Sequence, residues 1–179
     1  MQEEVFPQLV EMYYATLYRF ALSLAKNSSD AGDLTQQTFF VWANKGHTLR
    51  DPSKAKTWLF TTLYREFLRG RRRGGRTVAI DDLPPAAQDV PDLEVDFVSK
   101  LDGLLVMEGL QEVDQAFREP LTLFYLQDLS YHEIAEILDV PIGTVMSRLS
   151  RGKAQLRTIL AEKAKGGKVL EFPQQAIRS

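Results

Sequence analysis

The sequence contains no cysteine and only two histidines among its 179 residues. The lack of cysteine excludes disulfides, thiolate metal sites and cysteine nucleophiles, and it suits a reducing cytoplasm. Two histidines leave little room for a histidine-rich metal site, so we expect no bound metal. No apolar run approaches the roughly 20 residues that a membrane-spanning helix needs. The first residues are acidic and lack the basic start and apolar core of a signal peptide, so we expect a cytoplasmic protein.

The net charge of −2 conceals an uneven distribution of charge along the chain. Residues 44–73 contain nine basic and two acidic residues, and residues 141–168 contain seven basic and one acidic. Between them, residues 109–140 contain one basic and seven acidic residues. Local basic segments attract nucleic acid even when the whole chain is close to neutral. The two basic segments are therefore candidate nucleic-acid-binding surfaces.

Apolar residues recur at helical spacing in both halves of the chain, which predicts an all-α fold. The first half contains three such stretches. The first runs from Val5 to Leu24, and a second helix follows the polar residues 27–30. We expect that helix to stop near Gly46, where glycine permits a left-handed exit. A third helix begins at Pro52 and ends in the arginine- and glycine-rich residues 69–75.

The second half is separated from the first by a predicted flexible linker over residues 74–107, where glycine and proline interrupt the helical period and the charge turns acidic. The sequence therefore predicts two small helical domains, residues 1–73 and residues 108–163. A tail, residues 164–179, follows and receives no role. Within the second domain we expect Pro120 to open a helix.

The most informative stretch of the second domain predicts a helix-turn-helix. Ser130 and Glu133 have the spacing of a capping box ahead of an apolar helical run. Asp139 tolerates the left-handed backbone of a tight turn, and Pro141 precedes a second helix from about residue 142 to residue 160. We expect the outer face of this second helix to meet base edges and phosphates of duplex DNA. The residues on that face are Thr144, Ser147, Arg148, Arg151 and Lys153.

Residues 54–69 interleave basic residues with aromatic ones, as in proteins that hold single-stranded nucleic acid by phosphate contacts and ring stacking. Aromatic residues at helical spacing more often belong to a core. We therefore expect Trp58, Phe60 and Phe67 to lie mostly in the core, and Tyr64 to keep an exposed face.

The chain has no convincing catalytic site. His132-Glu133-Ile134-Ala135-Glu136 has a superficial likeness to the zinc-protease motif, but its last residue is glutamate where the second histidine ligand belongs. We expect no enzyme activity, no cofactor and no small-molecule substrate.

Four motifs occur in order along the chain. They are Asp33-Leu34-x-Gln36-x-x-Phe39, Thr57-Trp58-Leu59-Phe60, Leu129-Ser130-Tyr131-x-Glu133-Ile134-Ala135-Glu136-Ile137-Leu138 and Val140-Pro141-Ile142-Gly143-Thr144-Val145-x-Ser147-Arg148-Leu149-x-Arg151. Together they resemble the bacterial RNA polymerase sigma factors of the extracytoplasmic-function (ECF) group, which contain only regions 2 and 4. The resemblance covers about residues 5–160. It implies a stress- or signal-responsive sigma factor that directs promoter recognition, DNA opening and transcription initiation.

The resemblance also implies partners and residue roles. The partners are bacterial core RNA polymerase, promoter DNA and an anti-sigma factor. Region 2 would bind the polymerase clamp through Asp33, Gln36, Gln37 and Phe40. It would open the −10 element and hold its single strand through His47, Lys54, Lys56, Trp58, Tyr64, Arg65, Arg69 and Arg72. Region 4 would place the recognition-helix residues named above in the major groove of the duplex −35 element.

Four residues depart from the family pattern. Gln37 stands where glutamate is usual, Arg65 where asparagine is common, Asp139 where glycine is frequent and Met146 where lysine is frequent. Two other functions stay open on the sequence alone. A stand-alone helix-turn-helix regulator would bind duplex operator DNA without polymerase, and a metallohydrolase built on residues 132–136 would contain zinc.

Overall fold

The structure is a computed structural model that describes residues 2–75 and 103–166. These residues form α-helices and two short 3-10 turns, and the described ranges contain no strand, which confirms the all-α prediction. Most of the predicted linker and tail lies outside the described residues. The helices are α1 (Gln2–Ala25), α2 (Ser28–Lys45), α3 (Ala55–Arg73), α4 (Gly103–Glu112), α5 (Gln115–Gln127), α6 (Tyr131–Leu138) and α7 (Ile142–Lys165).

Helices α1 to α3 pack on one another as a first unit. Apolar side chains at helical spacing meet in its centre, where Leu17, Phe20 and Phe60 are fully buried and the two phenylalanine rings lie 5.5 Å apart. The Asn27 side chain caps α2 by accepting a hydrogen bond from the amide of Asp30 at 2.8 Å. The predicted apolar stripe of α1 is wrong at Met12, which is 66% exposed.

Gly46 ends α2 at the predicted place but for a different reason. Its backbone is right-handed, with φ −60° and ψ −28°, and it continues into the 3-10 turn Gly46–Thr48. The expectation of a left-handed exit is therefore wrong. A Cβ at this position would lie 2.6 Å from the indole of Trp42, so glycine is needed to let that ring pack over the backbone.

Helices α4 to α7 form a second unit. Helix α4 begins at Gly103, five residues before the predicted domain boundary at residue 108. Helix α5 begins at Gln115, so Pro120 lies inside the helix and the expectation that it opens one is wrong. The start of α5 is held by a residue of another helix, Gln155 of α7. The Gln155 side chain donates a hydrogen bond to the Asp114 carboxylate at 2.7 Å and accepts one from the Asp114 amide at 3.1 Å.

The two units pack against each other. Helix α5 contacts α1, and α6 contacts α3, so that one continuous cluster of buried apolar residues runs through both units. We call the junction of α1 and α3 with α5 and α6 the closed interface. Among the described helices, none combines the length and the apolar composition that a membrane span requires.

Candidate nucleic-acid and polymerase interfaces

The outer face of α2 is open to solvent. Asp33, Gln36 and Gln37 are exposed, and the Phe40 ring is 65% exposed. The neighbouring Phe39 turns inward and stacks on Tyr14 of α1, with ring centroids 6.2 Å apart. An exposed aromatic ring beside a carboxylate and two amides is a suitable surface for another protein, because it offers apolar contact and directional hydrogen bonds together.

The segment between α2 and α3 is held by short-range contacts. The indoles of Trp42 and Trp58 meet edge to face, with centroids 5.0 Å apart. The Asp51 carboxylate accepts hydrogen bonds from the Ser53 hydroxyl at 2.7 Å and the Ser53 amide at 3.0 Å, and these bonds hold the pKa of Asp51 below its usual value. His47 and Lys54 remain exposed on this segment.

Helix α3 presents cations along its solvent side. Arg65, Arg69 and Arg72 are exposed. Arg69 forms a 3.1 Å ion pair with Glu66 yet keeps 60% of its side chain in solvent. Arg65, Arg69 and Arg72 therefore form a basic strip along α3, and their exposed guanidinium groups can contact the phosphates of a nucleic acid.

The helix-turn-helix has the predicted local structure. The Ser130 hydroxyl caps the Glu133 amide at 3.3 Å, and the Glu133 carboxylate accepts a hydrogen bond from the Ser130 amide at 2.9 Å, which confirms the capping box. These hydrogen bonds from Ser130 hold the pKa of Glu133 below its usual value. Asp139 adopts the left-handed conformation with φ 54°, and α7 begins at Ile142.

Four polar groups meet where α3, α5 and α7 converge, and we call them the interface cluster: Tyr64, Gln115, Glu119 and Arg148. The Tyr64 hydroxyl donates a hydrogen bond to Glu119 Oε2 at 2.8 Å, and Gln115 Nε2 donates one to Glu119 Oε1 at 3.0 Å. Burial raises the pKa of Glu119, and these bonds oppose the rise. Burial, together with the neighbouring Glu119 carboxylate, raises the pKa of Tyr64, and the charge of Arg148 partly opposes the rise in pKa at both Tyr64 and Glu119.

Further polar contacts cross the closed interface at the end of α5. Lys56 Nζ donates a hydrogen bond to the Gln127 carbonyl at 2.6 Å. The Gln127 side chain donates one to the Thr16 carbonyl of α1 at 3.2 Å. Within residues 2–75 and 103–166, no group of three or more histidine, aspartate or glutamate side chains is placed to hold a metal ion.

The family comparison matches both units. The model described as "Sigma-70 region 2" matches residues 9–77, and the model described as "Sigma-70, region 4" matches residues 104–156. A relative, the ECF RNA polymerase sigma factor SigM of Bacillus subtilis, is 31% identical over 85% of this chain and 93% of its own length. The chain belongs to the ECF RNA polymerase sigma factors.

Other relatives and solved structures agree with this membership. The ECF sigma factor SigE of Mycolicibacterium smegmatis is 34% identical over 87% of the chain, which spans only 61% of that relative. The structure of the sigma factor RpoE in complex with the anti-sigma factor NepR from Bartonella quintana has 28% identity and a TM-score of 0.65, over 88% of this chain and 98% of that one. CnrH in complex with the cytosolic domain of CnrY, at 22% identity and a TM-score of 0.61 over 89% and 90%, shares the fold. Sigma factors are transcription initiation factors and not enzymes, as expected from the sequence.

The sigma factor does not expose all the residues that the sequence assigns to DNA. Tyr64 is 8% exposed, so the expectation of an exposed tyrosine face is wrong. Arg148 and Lys153 are 9% and 6% exposed, so the expectation that both lie on an outer face is wrong as well. Arg148 is buried beside Glu119 and Tyr64 of the interface cluster, and the Lys153 ammonium lies 5.1 Å from the centre of the Phe124 ring.

The remaining assigned residues are more accessible. Thr144, Ser147 and Arg151 on α7 are half-buried, and so are Lys56 and Trp58 on α3. Sequence reasoning missed Glu119 and Gln127 altogether. The only sequence signal for them is that both are polar residues in a stretch rich in apolar residues, which the structure shows to be the mostly buried helix α5.

Proposed function

We propose that this sigma factor binds core RNA polymerase through the exposed face of α2, formed by Asp33, Gln36, Gln37 and Phe40. The segment before α3 and the basic strip of α3 then hold the single-stranded −10 element, and α7 enters the major groove of the −35 element. The observation that carries this proposal is the coincidence of the two family matches with the two helical units. Residues 1–73 act as region 2 and residues 108–163 as region 4, with residues 74–107 as the linker.

The chemistry of each surface supports its role. The −10 surface combines exposed cations with the Trp42–Trp58 pair, and single-stranded nucleic acid is held by phosphate contacts and ring faces. Helix α7 starts immediately after a capped helix and a tight turn, the geometry that directs the first turns of a recognition helix at base edges. The sigma factor works in the cytoplasm, where its polymerase and promoters are.

An anti-sigma factor is a further proposed partner. The related RpoE and CnrH structures are complexes, the first with the anti-sigma factor NepR and the second with the cytosolic domain of CnrY. The exposed Phe40 ring and the surrounding polar residues of α2 offer a surface that such a partner would cover in competition with polymerase.

The direct test is transcription by the reconstituted holoenzyme. Purified sigma factor is added to sigma-free bacterial core polymerase on a pool of promoter templates, and the transcripts are sequenced. We expect starts downstream of one two-part motif. Retention of duplex DNA by the protein alone, with no transcripts, would instead indicate a stand-alone regulator.

The polymerase surface is tested by a double substitution on α2. Asp33→Ala with Gln36→Ala should weaken binding to core polymerase about tenfold, since loss of a charged hydrogen-bonding side chain from an interface is worth at least that much. The thermal melt should be unchanged because both side chains are exposed. Gln8→Ala with Glu11→Ala removes an exposed amide and carboxylate from α1 and is the matched control. Unchanged affinity of the α2 variant would contradict the assignment.

A further inference from the structure

The start of α7 presents an apolar edge to solvent. Among the described residues, two of the large apolar side chains that remain exposed lie in the first two turns of this helix: Ile142 is 37% exposed and Met146 is 52% exposed. They are four residues apart, so they occupy the same face of the helix, one turn from each other. Val145 and Leu149 of the same helix are buried, so this edge is separate from the core face.

The first residues of α7 are also uncharged. Residues 142–147 contain neither an acidic nor a basic residue, and the next cation, Arg148, is buried. The half-buried Thr144 and Ser147 supply hydroxyl groups. A hydroxyl group both donates and accepts hydrogen bonds, so it pairs with either kind of group on a base edge and discriminates weakly. Apolar contact is therefore the main means of discrimination left to these turns, and Met146 is their most exposed side chain.

The major groove of DNA offers one apolar group that suits such a side chain. Thymine carries a C5 methyl group on its major-groove edge, whereas the other bases present hydrogen-bond donors and acceptors there. The methionine side chain is flexible and apolar, and its sulfur is only a weak acceptor. It gains free energy by covering a methyl group and gains nothing comparable from a phosphate, which attracts positive charge. The N-terminal residues of a recognition helix are those that meet base edges.

We infer that Met146 reads a thymine of the −35 element through contact with its C5 methyl group, and that Ile142 extends the apolar surface of this contact by one turn. The inference rests on the proposed function, because it takes α7 as the helix that enters the major groove of the −35 element. It adds that one position of this element is selected by a methyl group and not by hydrogen bonding. Met146 is exposed while the two units are packed together, so the contact needs no uncovering of this side chain.

The contact is tested by removing the methyl group alone. Deoxyuridine pairs as thymidine does and lacks only the C5 methyl group, so it replaces each thymidine of the −35 element in turn, on both strands. The probe is a labelled promoter duplex with the element recovered from the pooled transcription test, titrated with the reconstituted holoenzyme. We expect one of the replacements to weaken binding by wild type about fourfold, the factor that corresponds to the burial of one methyl group.

Three variants show whether Met146 makes the contact. Met146→Ala should bind the thymidine and deoxyuridine duplexes equally at that position, because the side chain that covers the methyl group is gone. Met146→Leu keeps an apolar side chain of similar size and should retain most of the preference for thymidine. Met12→Ala removes an exposed methionine from α1 and is the matched control, whose preference should equal that of wild type.

The readout is the ratio of the two affinities, which is insensitive to a general change in holoenzyme binding. Equal affinities of wild type for the thymidine and deoxyuridine duplexes at every position would overturn the inference. A −35 element without an A·T pair, or a preference for thymidine that persists in Met146→Ala, would overturn it as well. Absence of transcription by the wild-type holoenzyme would instead refute the proposed function, and the inference with it.

Discussion

A close helix crossing in the second unit lies at Gly152, where α7 passes over α5. A Cβ added to Gly152 would lie 2.7 Å from Leu121 Cδ1 and 3.0 Å from Phe117 Cβ. Leu121 is fully buried and Phe117 is 7% exposed, so neither side chain has open space to move into. Gly152→Ala must therefore move α7 away from α5 or force core side chains from their preferred rotamers.

Two opposing effects set the size of the change in stability. Replacing glycine by alanine within a helix stabilises by up to about 1 kcal/mol, whereas overpacking a core costs about 1–3 kcal/mol. We expect Gly152→Ala to lower the free energy of unfolding by about 0–2 kcal/mol. Gly143→Ala is the matched control on the same helix, because a Cβ there meets nothing within 4 Å. It should keep the gain in helix propensity, so the two variants should differ by about 1–3 kcal/mol.

The assay is urea unfolding followed by the helical circular dichroism signal, with wild type and both variants measured side by side. Gly152→Ala should also weaken −35 binding by the holoenzyme, since a displaced α7 no longer aligns with the major groove. Equal free energies of unfolding for Gly152→Ala and Gly143→Ala would refute the reasoning, because they would mean that α5 and α7 can move apart without loss of stability.

Arg148→Ala, tested in the holoenzyme, should reduce discrimination at one base position of the −35 element by about 1–3 kcal/mol if Arg148 reads a guanine. The measurement is binding to a set of single-base promoter variants, and an equal loss at every position would identify a phosphate contact instead. The hydrogen bonds from Ser130 lower the pKa of Glu133 from 4.5, so the stabilisation is present above pH 4.5 and is lost as the pH falls through the lowered value. Wild type should therefore lose more stability on acidification than Glu133→Gln, and parallel pH profiles in thermal melts would contradict this.

The parts of the fold that the sequence predicts are those decided by neighbouring residues. The capping box at Ser130 and Glu133 and the left-handed Asp139 depend on contacts within a few residues, and the helix-turn-helix accordingly appears where it was expected. The 3-10 turn Pro52–Lys54, which leads into α3 at Ala55, depends likewise on the fixed φ of Pro52 and on a cap, here supplied by Asp51.

The errors at Pro120, Tyr64 and Arg148 fall where a distant helix decides the outcome. Pro120 lies inside α5 because the helix begins before it, at Gln115. This start is held by the two hydrogen bonds between Asp114 and the side chain of Gln155, which belongs to the distant helix α7. Tyr64 and Arg148 are buried because the two units meet, which no periodicity within either unit reveals. Sequence reasoning identifies the residue types suited to DNA, but their exposure depends on tertiary contacts.

The two proposed binding surfaces of the sigma factor differ in their exposure. The α2 face with Asp33 and Phe40 is exposed, whereas Tyr64 and Arg148 are buried. Core polymerase therefore finds its proposed surface accessible while the two units are packed together. A ligand shifts a conformational equilibrium only by its difference in affinity for the two states. If polymerase prefers the two units apart, Glu119→Gln, which weakens the hydrogen bonding of Tyr64 across the closed interface, should bind core polymerase more tightly than wild type, by linkage. Equal affinities for the two proteins would mean that polymerase binds the α2 face without separating the units.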